Sequence, residues 1–110
     1  MSNNFVNAVL QSVGVASTVL YTTPALQKSV IIQLDIANTT SSTVLVNVNI
    51  TINATGVTIF LVKGAPIPVG GALQVISGQK IILGVLDSVS VSSSVPASID
   101  AIAGILQNVQ

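Results

Sequence analysis

Six side chains carry formal charge, and polar chemistry would have to begin with them: Lys28, Lys63 and Lys80, and Asp35, Asp87 and Asp100. Histidine, cysteine, arginine and glutamate are absent. Without imidazole or thiol there is no base that titrates near neutrality, no thiolate nucleophile, and no zinc or iron–sulfur ligand set of a common kind. The three aspartates stand far apart at or near expected turns, so neither a carboxylate pair nor a metal site is indicated. Lys28 and Ser29 are adjacent, which brings a Ser–Lys dyad to mind, but neighbours in an extended segment point to opposite faces. Gly64 to Gly71 is glycine-rich yet matches neither a phosphate loop nor a dinucleotide fingerprint. The expectation is a non-enzymatic chain with no catalytic residue, no cofactor and no metal.

Binding chemistry is narrowed in the same way. With no arginine and a net charge of zero, a surface that tracks nucleic-acid phosphates is not expected. Phe5, Tyr21 and Phe60 are the only aromatic residues, too few to suggest stacking platforms for sugars. Asn38-Thr39-Thr40, Asn49-Ile50-Thr51 and Asn53-Ala54-Thr55 fit the glycosylation pattern, but in a chain so rich in Asn and Thr chance accounts for them. Mean hydropathy is +0.87, yet no run approaches the roughly 20 apolar residues of a spanning helix. The opening Met1-Ser2-Asn3-Asn4 lacks the positive region of a signal peptide. Neither a membrane nor a nucleic acid is an expected partner.

The elements that must position these residues are strands. Val, Ile and Thr make 40 of the 110 residues, and β-branched side chains crowd a helix but fit a pleated sheet. Val44 to Ile52 alternates with period 2 over nine residues. Ser29 to Ala37 does so less cleanly, with Val30, Ile32, Leu34 and Ile36 expected on one face. A polar turn, Asn38 to Thr43, joins the two as an antiparallel pair. Further strands are expected over Val15 to Tyr21, Val57 to Lys63, Ala72 to Ile76, Lys80 to Leu86 and Ser88 to Val95. Ser77-Gly78-Gln79 reads as a turn. Gly64 to Gly71, with Pro66 and Pro68, reads as a loop or an edge. Ile99 to Val109 fits both periods; the β-rich context favours a strand with Ile99, Ala101, Ala103, Ile105 and Val109 on one face. The whole is an all-β, antiparallel β-sandwich of about seven or eight strands, jelly-roll-like. One domain spans residues 15–110, preceded by residues 1–14. In that segment Phe5, Val6, Val9, Leu10 and Val13 form a stripe read as a short N-terminal helix or docking arm, whose removal should leave the domain folded.

Apolar residues occupy both faces of Lys80 to Leu86, and Ile31 and Ala37 add to the outer face of Ser29 to Ala37. A small sandwich hides one face of each sheet, not two. If each subunit buried about 1,000 Å² of extra apolar surface, the gross transfer term would be on the order of 25 kcal/mol. Association costs about 4–15 kcal/mol. The balance favours self-assembly, as a trimer or another cyclic homo-oligomer. Phe5, Val6, Val9, Leu10, Val13, Phe60, Pro66, Ile67 and Pro68 are the candidate docking contacts.

The stretches Tyr21-Thr22-Thr23-Pro24-Ala25 and Ile36-Ala37-Asn38-Thr39-Thr40 resemble small virion structural proteins of tailed bacteriophages. Phe60-Leu61-Val62-Lys63-Gly64-Ala65-Pro66-Ile67-Pro68-Val69-Gly70-Gly71 and Leu86-Asp87-Ser88-Val89-Ser90-Val91 extend the likeness from about Val19 to Ile105. The resemblance implies a β-sandwich located in the virion, without enzymatic activity. Such a protein would decorate or cement the capsid, contacting the major capsid protein or neck and tail proteins. The alternative is a neck or tail fibre component that adheres to a host surface through loops such as Gly64 to Gly71.

Overall fold

The computed structural model describes residues 4–76 and 80–107. Nine strands and no helix lie among the described residues: β1 (Asn4–Val13), β2 (Thr18–Thr22), β3 (Ser29–Asn38), β4 (Val44–Ile52), β5 (Val57–Ile67), β6 (Ala72–Ile76), β7 (Ile81–Leu83), β8 (Ser88–Ser93) and β9 (Ile99–Gln107). They form two antiparallel sheets. The first has the order β1-β9-β3-β6, and the short β7 pairs with β3 as well. The second has the order β2-β8-β4-β5. β7 pairs with the beginning of β3 and β6 with its end, so both line one edge of that strand.

Period-2 alternation builds the core between the sheets, because every second side chain of a strand points to the same face. β4 contributes Val44, Val46, Val48 and Ile50, β8 contributes Val89 and Val91, and β9 contributes Ile99, Ala101, Ala103 and Ile105, all buried. β9 is thus a strand, as the β-rich context favours, paired on one side with β1 and on the other with β3. Helical spacing of Ile99, Ile102 and Leu106 loses to that double pairing. Val109 and the turn Ser77-Gly78-Gln79 lie outside the described residues.

Three expectations are corrected. The first concerns residues 1–14: the described part is no helix but β1, ten residues paired in register with β9 from Asn4↔Gln107 to Leu10↔Ala101. A lone helix of that length is marginal in water, whereas β1 satisfies its backbone on β9 and lays Val6, Ala8 and Leu10 against the core. A shift in register between Leu10 and Val13, with Ser12 at φ 56°, then turns Val13 inward. The segment belongs to the sheet, and removing it would strip β9 of one of its two partners.

The second correction is in β3. Ser29 and Ile31 are buried, not Val30 and Ile32, while Leu34 and Ile36 are buried as expected. A bulge between Ile31 and Gln33 exchanges the faces midway; one extra residue reverses the parity of everything that follows. The third is the loop at Gly64 to Gly71. β5 continues through Pro66 to Ile67, which is permitted because β5 is an edge strand whose proline need not donate to a neighbour on its open side. Gly64, at φ 67°, occupies a register irregularity there, and its N–H donates to Asn47 Oδ1 at 2.8 Å. Only Gly tolerates that backbone without a Cβ penalty.

Candidate assembly face

The two sheets present unlike outer faces. That of the second is small and polar: Asn47, Asn49 and Thr51 of β4 stand beside Ser88, Ser90 and Ser92 of β8, with Asn47 Nδ2 donating to Ser92 Oγ at 3.3 Å. Apolar residues stand at its two edges: Val19 of β2 opposes Ser90, and at the β5 edge Leu45 opposes Pro66 and Lys63 Nζ lies 5.1 Å from the centroid of the Phe60 ring.

The outer face of the first sheet carries apolar side chains on each of its strands, interrupted by polar positions. The pairing registers arrange it in four rows. Phe5, Leu106, Val30 and Ile82 form the first, spanning β1, β9, β3 and β7. Asn7, Gly104 and Gln33 form the second. Val9, Ile102, Asp35 and Gln74 form the third, and Asp100, Ala37 and Ala72 the fourth. Phe5 is 77% exposed, Ile82 72%, Val9 64% and Ile102 45%. Fully burying one such side chain contributes about 1.5–3 kcal/mol.

The face has relief. Where the rows change from bulky to small residues, an open groove of about 360 Å³ runs between Val9, Ile102, Ala37 and Ala72, with Asp35 and Asp100 on its walls. A smaller recess of about 200 Å³ lies over Gly104, between Phe5 and Ile32; a Cβ at Gly104 would meet nothing within 4 Å. Asp35 and Asp100 are diagonal neighbours on adjacent strands, a relation that places side chains about 7–8 Å apart. Asp100 Oδ1 accepts from the Ser12 N–H at 2.9 Å, and Asp35 Oδ2 accepts from Gln33 Nε2 at 2.6 Å. Asp35 Oδ1 is buried and has no hydrogen-bond partner among the described residues.

Of the nine docking candidates read from the sequence, Phe5 and Val9 lie on this face. Val6 and Leu10 turn inward and are half-buried, and Val13 is buried. Phe60, Pro66 and Pro68 are exposed on or just beyond β5, while Ile67 between the two prolines is wholly buried. The structure therefore does not bring the nine together. Ile82, Ile102 and Val30 complete the face instead. Ile102 was hidden in a segment that fits two periods, and Val30 was hidden by the β3 bulge.

The remaining polar side chains tie loops to the core. Asp87, 7% exposed, accepts from the Asn53 N–H through Oδ1 and from the Gly84 N–H through Oδ2, each at 2.8 Å. It thereby joins the β4–β5 turn to the turn before β8. Asn38 Nδ2 donates to the carbonyls of Ser42 (2.8 Å), Ile67 (2.9 Å) and Pro68 (3.3 Å). The amide of the first glycosylation pattern is thus buried and engaged. Ser29 Oγ faces inward and shares a hydrogen bond of 2.8 Å with Tyr21 Oη, while Lys28 is exposed, so the two members of the imagined dyad point apart. No group of three or more acidic, Cys or His residues that could hold a metal occurs among the described residues. No helix among them is long and apolar enough to cross a membrane. Comparison with protein-family models and with curated proteins finds no match to this chain.

Proposed function

We propose that this chain is a non-enzymatic structural protein of a bacteriophage virion, a jelly roll that decorates or cements the capsid by packing against neighbouring subunits. The observation that carries the reading is the exposure of Phe5, Val9, Ile82 and Ile102 on the outer face of the first sheet, which the described residues leave uncovered. A chain with only six charges also brings little like-charge repulsion to close packing. The strand orders add support. With the short β7 set aside, consecutive strands alternate between the sheets except at the β4–β5 hairpin, the connectivity expected of a jelly roll. That architecture recurs in viral capsid and lectin domains, although a fold alone assigns no role. The strand-and-turn grammar from Val19 to Ile105 points the same way.

The test is incorporation. The variant Phe5→Asp/Val9→Asp places two carboxylates on the exposed face of an edge strand, where the fold tolerates them. Purified particles are expected to carry at least tenfold fewer copies of it than of the parent chain, with its thermal unfolding midpoint within a few degrees of the parent's. An unchanged copy number in the particle would reject the reading. Imaging the parent in the same particles separates two placements: a lattice over the head supports decoration, and a few copies at one vertex support the neck or tail adhesion role.

A further inference from the structure

Four of the six charges lie in or just before strands of the first sheet, and they are sorted along it. Lys28 immediately precedes β3 and is exposed, beyond the bulky first row. Lys80, also exposed, precedes β7; because Ile81 lies opposite Ile31, Lys80 is level with the second row. Asp35 and Asp100 lie in the third and fourth rows, beside the groove. Bulk is sorted as well: Val30 and Ile82 stand out at the first row, and Ala37 and Ala72 leave space at the fourth.

We infer that a second copy of this chain covers this face, related to the first by a two-fold axis that runs across the strands. This rests on the assembly reading above and names the first contact of that assembly. Such an axis lays the first row of each copy over the fourth row of the other, and the second row over the third. Ile82 of each copy then enters the groove beside Ala72 of its partner. Lys28 comes to the Asp100 end of the partner, and Lys80 comes to its Asp35 row. An axis along the strands would instead set bulky row on bulky row and carboxylates on carboxylates. Protrusion, groove and charge all lie on one surface, so the contact is isologous and closes at two copies. Two sheets stacked this way lie about 10 Å apart with strands nearly aligned.

The area suffices. Ten-residue strands are about 33 Å long and four strands about 19 Å wide, so each face offers on the order of 600 Å². Two faces remove on the order of 1,200 Å² from water, the lower bound of stable, specific interfaces. The second sheet, whose strands carry the single charge of Lys63, stays free for other contacts in the particle.

The experiment uses two variants of the full chain, Ile82→Asp and Ala72→Arg, both at exposed positions. Each alone breaks both symmetric contacts and is expected to weaken self-association at least a hundredfold in sedimentation equilibrium. Mixed one to one, they regain it: one contact pairs the new carboxylate with the new guanidinium, and the other is the parent contact. Circular dichroism of each variant, with an unfolding midpoint near the parent's, confirms that it folds; if either fails to fold, Ile82→Asn and Ala72→Gln replace the pair for the loss of association. A parent chain that associates while both variants associate as well would overturn this inference and leave the assembly reading standing. So would two dissociated variants that do not rescue each other. A parent that stays a single copy at millimolar concentration would overturn both.

Discussion

Replacing Asn38 with aspartate is expected to destabilise the fold by about 4 kcal/mol. The side-chain amide is 7% exposed and gives its hydrogens to three backbone carbonyls, those of Ser42, Ile67 and Pro68. Its oxygen accepts from the N–H and the hydroxyl of Thr40, both at 2.8 Å, and its own N–H donates to the Gly71 carbonyl at 3.1 Å. One residue therefore holds the β3–β4 turn against the chain leaving β5. Aspartate keeps the acceptor but turns the donor end into a second oxygen aimed at carbonyl oxygens. Leaving a buried group unsatisfied costs about 1–3 kcal/mol, more where charge is involved. A neutral Asn38→Ala loses the Nδ2 bonds and also the two from Thr40, but without the repulsion, and should cost about 2–3 kcal/mol. Urea unfolding at low micromolar concentration measures both. Against a domain stability of about 5–15 kcal/mol, the aspartate variant keeps about 1–11 kcal/mol and unfolds at a much lower urea concentration than the parent. A loss below about 1 kcal/mol would show that Asn38 does not join these loops.

The second large effect separates two neighbours of the same type. Ile31→Ala is expected to cost about 3–4 kcal/mol, the range for emptying a packed aliphatic site. Ile31 is 0% exposed, with Cα partners in Ile81 and Ile105. Ile32→Ala should cost about 1 kcal/mol or less, since Ile32 is half-buried at the outer recess over Gly104 and surface truncations are mild. Equal losses, or the reverse order, would mean that the bulge between Ile31 and Gln33 does not exchange the faces of β3.

That pair shows where sequence reading stops. Period 2 reveals β4 fully, because it pairs without a shift along β8 and the extra residues of its other ladder lie on β5. It reveals the core face of β9 once a strand is chosen over a helix. In β3 an extra residue switches the faces, and nothing in Val30-Ile31-Ile32 distinguishes which isoleucine turns in. In β1 the stripe at Phe5, Val6, Val9, Leu10 and Val13 satisfies a helical spacing, but the outcome was decided by β9, a partner at the far end of the chain, which offers a free edge. Local propensity gives way where a long-range ladder is available. The excess of apolar surface was legible on Lys80 to Leu86. Its location was not, because the face is assembled across four strands by registers that no single segment records.

Asn38 was visible only as a turn residue. The turn chemistry of Asn-Thr-Thr accounts for Asn38 Oδ1 accepting from Thr40. The reach of Nδ2 to Ile67 and Pro68 crosses from one turn to another loop. Likewise the sorting of Lys28, Lys80, Asp35 and Asp100 along one face emerges only from strand order, since in sequence these charges simply alternate with neutral stretches.

The claim beneath the proposal is that the outer face of the first sheet is covered by other subunits. Sedimentation equilibrium of the unaltered chain, from micromolar to millimolar, addresses it without any substitution. The account predicts a mass of two or more copies over most of that range, falling toward 11.1 kDa only on dilution. A constant mass of 11.1 kDa up to millimolar concentration would contradict it.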